Sequence, residues 1–225
     1  MHQHANDDPS QWSAITSFAA NIACAPETEW SGSSRASGLS LLSPYLPSGV
    51  HFIMPRTELS QLPDDARVWV FAADAPVADA IPLLSAVDAH LAQWAAHGAP
   101  LLCARDWRDD RFLAIAVDES ATGASGCSID GMFRTIARVQ SAVGADLLAS
   151  GRVSWRDAHG AIHVATQQEF SVRAAAGDVT RETPVFETLT DSVGGWRSAF
   201  EKPAGESWAR GLLDASLRDR GKARS

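Results

Sequence analysis

Apolar and polar positions are spaced along this chain in patterns that mark out a run of strands and helices. From Ala66 to Ala72 (Ala-Arg-Val-Trp-Val-Phe-Ala) β-branched and aromatic residues crowd a short run, the make-up of a strand. Val77, Ile81, Leu84, Val87, Leu91 and Trp94 then recur every three or four residues. That spacing predicts an amphipathic helix over 77–97, with Pro76 and Pro82 in its first turns and Gly98 at its end. Pro100 to Trp107 and Arg111 to Val117 predict two strands joined by the polar turn Arg108-Asp109-Asp110, the second apolar enough to lie centrally. Ile129, Met132, Phe133, Ile136, Val139 and Val143 predict a second helix, stopped at Gly144. Asp146 to Trp155 and Ala161 to Ala165 predict strands on either side of the turn Asp157-Ala158-His159-Gly160. Thr166 to Ala176 is helical in pattern and closes at Gly177. Pro184 to Leu189 reads as extended, and Trp196 to Phe200 and Glu206 to Leu217 as short helices.

The order strand, helix, strand, strand, helix, strand predicts an α+β fold, a ferredoxin-like split β-α-β two-layer sandwich with extra C-terminal strands and helices. Its connectivity brings the end of the first helix (Trp94, His97, Gly98) to the same sheet edge as the loop that follows the third strand. The turn at 157–160 is expected at that edge too. One globular domain is predicted over 54–217. It is preceded by a poorly ordered extension, 1–53, with one short helix around Gln11 to Ala23, and followed by a frayed basic tail, 218–225.

Composition narrows the function classes. The net charge of −8 argues against nucleic acid as a partner, because that binding requires a basic surface to displace counterions. No run of about 18 apolar residues is present to cross a bilayer, and the N-terminus lacks the positive flank of a secretory signal. Three scattered cysteines, Cys24, Cys103 and Cys127, make neither a disulfide framework nor a zinc site, so free thiols and a cytoplasmic location are expected. The seven histidines form no metal motif, and no cofactor is implied.

Chemistry concentrates in residues 117–130, Val-Asp-Glu-Ser-Ala-Thr-Gly-Ala-Ser-Gly-Cys-Ser-Ile-Asp, between the third strand and the second helix. A helix start carries unpaired N–H groups and partial positive charge, which suits an anion or a thiolate. Ser125 and Ser128 are each placed to cap the helix, and Asp130, offset by Arg134, favours its positive end. Asp118, Glu119, Ser120, Ser125, Gly126, Ser128 and Asp130 are the candidate ligand-binding residues for a small polar or anionic molecule. Asp118 and Glu119 also read as a pair that could bind Mg²⁺ or serve as acid and base, or else as a solvated loop or a pair that hydrogen-bonds the backbone of the Gly-rich turn. Cys127 is the candidate nucleophile, with His97 as its base, or else a small packing thiol. The alternative is an interaction module without chemistry, in which the N-terminal helix and the Trp-rich C-terminal pieces meet a partner protein.

From Leu62 to Leu213 the chain resembles a family of small bacterial proteins of unassigned activity that often carry the label "ABC transporter ATPase". The matching pieces are Leu62-Pro63 with Ala66-Arg67-Val68-Trp69, Trp94-Ala95-Ala96-His97-Gly98, and Ala116 to Ser120 with Ala124 to Asp130. Pro203-Ala204 with Ser207-Trp208 and Arg210 complete the set. The resemblance implies no activity. The ATPase label has no support in the residues, since no Gly-x-x-x-x-Gly-Lys-Ser/Thr loop and no Gly-x-Gly-x-x-Gly fingerprint occurs. Family members begin just before the first strand, so residues 1–53 lie outside the resemblance. Around Phe186 to Leu189 the family carries asparagines that this chain lacks.

Overall fold

The computed structural model describes residues 57–214. The expected helix at 11–23 and the tail at 218–225 lie outside the described residues. The fold is mixed α+β, built on antiparallel sheets.

The first sheet has three strands, β1 (Arg67–Ala72), β4 (Leu102–Arg108) and β5 (Phe112–Asp118), in the order β1-β5-β4. β5 is central, and Phe112 to Val117 are wholly buried. Its alternation assigns each residue to a face. Leu113, Ile115 and Val117 join the core under helices α1 (Ile81–Leu91) and α2 (Gly126–Val143). Phe112, Ala114 and Ala116 join a second core with Phe186, Val193, Trp196 and Phe200. Small alanines on that face leave room for large rings to approach.

Helix α1 is shorter than the spacing predicts. Leu83, Val87 and Leu91 form its buried stripe, and Asp79 Oδ1 accepts a hydrogen bond from the Ile81 N–H at 2.9 Å. Beyond Leu91 the chain folds back into a hairpin of β2 (Ala95–Ala96) and β3 (Ala99–Pro100). Its turn is His97-Gly98, with φ of 52° and 79°. Two successive positive φ values suit a two-residue hairpin turn. Gly98 therefore turns a hairpin and does not cap a helix. Helix α2 follows its pattern closely: Ser125 Oγ accepts the Ser128 N–H at 3.3 Å, and Gly144 closes the helix at φ 68°.

The strand expected to complete the first sheet does not join it. β6 (Arg152–Arg156) starts later than the pattern suggests and pairs with β7 (Ile162–Thr166) and β8 (Pro184–Phe186). With β9 (Glu201–Pro203) these make a second sheet, ordered β7-β6-β8-β9. The outer edge of β1 is already occupied: the Val68 N–H donates to Asp191 O and the Val193 N–H to Ala66 O, both at 2.9 Å. Val153 and Trp155 of β6 instead pack on Phe170 and Ala174 of α3 (Gln167–Ala176). Helix α3 starts in a reciprocal cap between Thr166 and Glu169. Helix α4 (Val193–Ser198) carries Trp196, fully buried, into the second core.

Candidate functional site

The 118–130 loop is held by its own polar groups. Asp118 Oδ1 accepts the Ser120 N–H at 2.9 Å, and Glu119 Oε1 accepts the Ala124 N–H at 3.1 Å. The contacts with Ser120 hold the Asp118 carboxyl below its ordinary range. Both carboxylates thus spend oxygens on the turn that follows them, as Asp and Glu at a tight turn do. Ser128 Oγ donates back to the Ser125 carbonyl at 2.9 Å, so the two serines cap one another's turn.

Charge in the loop is offset nearby. Arg67 at the start of β1 stands 3.7 Å from Glu119 and stacks on Trp69, with its guanidinium carbon 4.6 Å from the ring centre. Arg134 pairs with Asp130 at 3.1 Å, one turn along α2. Neither pair is buried.

The segment between α1 and the hairpin meets the start of α2 through a hydrogen bond. The Trp94 indole N–H donates to the Ser128 carbonyl at 3.1 Å. The Trp94 ring also lies 5.9 Å from Trp69 and 5.7 Å from His90. His97, three residues on, sits exposed on the hairpin turn. Cys127 is exposed in the first turn of α2, which sets aside the packing-thiol reading. Cys103 is the packing thiol here: it is buried, lies 3.6 Å from the Leu91 carbonyl, and burial pushes it up to about 11.

The turn at 157–160 does not share this rim. Arg156, beside it, pairs with Asp109 at 3.2 Å, and Arg111 Nη2 donates to Ile162 O at 3.4 Å. Asp109 and Arg111 precede β5, whereas Asp118 ends it, and a seven-residue strand separates its ends by roughly 20 Å. The cause is the displacement of β6 into the second sheet. Within that turn Asp157 is bonded to His163 at 2.7 Å, and this bond, with the Ala161 and His159 N–H groups, lowers the carboxyl to about 2.

Residue spacing gave no sign of the part played by His90. It faces Gly131 and Thr135 across the α1–α2 joint, beside a shallow groove of about 440 Å³. The available signal was Gly131, since a glycine inside a helical pattern marks a close approach. Trp155 and Trp196 are buried, and the half-buried Trp208 donates its indole N–H to Phe186 O at 3.3 Å. Among the described residues no group of three or more His, Cys, Asp or Glu side chains is placed to hold a metal ion, and no helix is long and apolar enough to cross a membrane.

No family model, no curated protein and no solved structure matches the chain.

Proposed function

We propose that the rim formed by the 118–130 loop, the first turn of α2 and the hairpin at 95–100 binds a small polar or anionic molecule. The observation that carries this reading is the Trp94–Ser128 hydrogen bond, which draws the hairpin bearing His97 toward the helix turn bearing Cys127. Arg134 offsets Asp130 and Arg67 offsets Glu119, so the positive helix end is not spent on those carboxylates. In the catalytic form of the proposal Cys127 is the nucleophile and His97 the base, and the helix N–H groups stabilise developing negative charge. The same reading treats β1, α1, β4, β5 and α2 as the split β-α-β half of a ferredoxin-like fold. It keeps the chain with the bacterial family it resembles and in the cytoplasm.

Iodoacetamide tests the thiol. At neutral pH Cys127 alkylates much faster than Cys103, and faster than a simple thiol when the helix end activates it. A Cys127 rate no greater than that of a free thiol removes the catalytic form. A thermal-shift screen with inorganic phosphate and small carboxylates tests the binding form. A ligand that stabilises the wild type stabilises Cys127→Ala and His97→Ala less. No stabilisation by any of these anions sinks the site.

A further inference from the structure

His90 is a half-buried ionisable residue with a buried Nε2 atom, and nothing above uses it. It stands in the last turn of α1 with its ring in the joint against α2. A Cβ on Gly131 would lie 3.4 Å from His90 Cε1, at van der Waals contact, so the ring rests against the helix at this glycine. Thr135, itself buried, lies 3.5 Å from His90 Nδ1. The Trp94 ring flanks His90, and that same indole holds the Ser128 carbonyl.

The hydrogen-bond arithmetic at this joint fixes the imidazole. Thr135 has one proton, and Oγ1 donates it to the Gly131 carbonyl at 3.0 Å. The hydroxyl therefore accepts, taking one bond from Arg138 Nη2 at 3.3 Å and offering a lone pair to Nδ1. Nδ1 carries the ring's proton, and Nε2 holds a bare lone pair. Nε2 is buried and has no partner. A bare lone pair out of water is tolerable, whereas an N–H on a charged ring in the same place has no acceptor.

We infer that His90 is an acid-release latch: neutral, it closes the α1–α2 joint, and once protonated it leaves for water and frees Trp94 from the first turn of α2. The nearest cation pushes the same way. Arg138 of α2 borders the groove beside the ring as an adjacent cation, whereas Arg134, on the same groove, is paired with Asp130. On α1, Asp88 is engaged by Arg105 through two bonds of 2.6 and 2.9 Å. From β4 the nearby Cys103 thiol stays neutral. Burial, and then the Arg138 cation, lower the His90 pKa. The sign follows. The unfolded chain takes up a proton near the ordinary value of 6.5 and the folded chain does so only at lower pH, so stability holds above 6.5 and falls as pH drops below it. The latch stands on this joint alone and does not depend on a ligand at the rim.

NMR on the full chain between pH 7.5 and 4.5 tests it, with His90→Gln as the non-titrating comparison. In the wild type the His90 ring titrates below the ordinary histidine range. Amide exchange in the last turn of α1 and the first turn of α2, corrected for its intrinsic pH dependence, speeds up through that titration by up to tenfold per pH unit. In His90→Gln the acceleration is absent and the thermal midpoint falls less between pH 7 and 5. Titration in the ordinary range overturns the inference. So does a low titration without faster exchange, or a variant that tracks the wild type. Should His90→Gln fail to fold, the wild-type titration and exchange decide the matter by themselves.

Discussion

A Cβ added at Gly195 would fall 2.1 Å from Thr190 Oγ1, well inside contact distance. The glycine sits in the first turn of α4, where its N–H donates to Ser192 Oγ at 3.2 Å. Gly195→Ala therefore forces the 190–195 turn apart and costs roughly 1–3 kcal/mol in urea unfolding, as overpacking does. Adding Thr190→Ala recovers part of the loss, and a pair of substitutions that is strictly additive shows the clash to be absent. Asp157 makes the second residue-scale prediction. Its carboxyl is lowered from 3.8 to about 2, chiefly by His163. A depressed carboxyl stabilises the fold above its unfolded value and loses that contribution as pH falls from 3.8 through about 2. Carbon-detected NMR places the Asp157 titration near the low end of this window, and His163→Ala returns it toward the ordinary carboxylate range.

At the scale of elements, α1 and α2 are coupled by packing and by the His90–Thr135 contact, and the segment after α1 is tied to the first turn of α2 by the Trp94 indole. Trp94→Phe keeps most of the ring but deletes the donor to Ser128. The expected cost is about 1 kcal/mol, with faster amide exchange in the first turn of α2 and little change in α3. Equal loosening of α2 and α3 counts against a local tie. The helices and strands themselves were largely legible. Stripes such as Met132–Ile136 and the run Phe112–Val117 specify one element each, since period and burial agree there. The helix end at Leu91 was not legible, because Trp94 keeps the apolar spacing even after the chain leaves the helix. α1 closes at Ala92 and the chain turns through Gln93 and Trp94 into a hairpin, whose turn at His97, with φ of 52°, is invisible to a periodicity argument. The capping serines of the candidate site were readable from sequence chemistry, whereas the partnership of His90 with Thr135 depends on helix crossing, which no spacing encodes.

Over the whole molecule, Phe112 is where the two sheets meet. It is fully buried on the face of β5 away from α1 and α2, with ring centres 4.5 Å from Phe186 and 5.1 Å from Phe200. Phe112→Ala removes a ring that both sheets share and costs roughly 3–5 kcal/mol. Circular dichroism and tryptophan fluorescence fall together in that variant, and a two-step transition argues that the sheets unfold separately. The same sharing explains why topology was only half readable. Strand order β1-β5-β4 follows from local pairing and a helix crossover, but the occupation of β1's outer edge by residues 191–193 is a contact of long sequence separation. It outcompetes β6 for that edge, and with β6 goes the turn expected beside Cys127.

The strap at 191–193 has a consequence for biosynthesis. On the ribosome the three strands of the first sheet, β1, β4 and β5, and helices α1 and α2 emerge before Phe186, Val193, Trp196 and Phe200, which cover the far side of β5. Until Trp196 and Phe200 leave the exit tunnel, Phe112, Ala114 and Ala116 form an open oily surface on an otherwise assembled half. A chain stalled short of that point keeps this apolar face open, and the face closes only when the residues around Trp196 and Phe200 arrive.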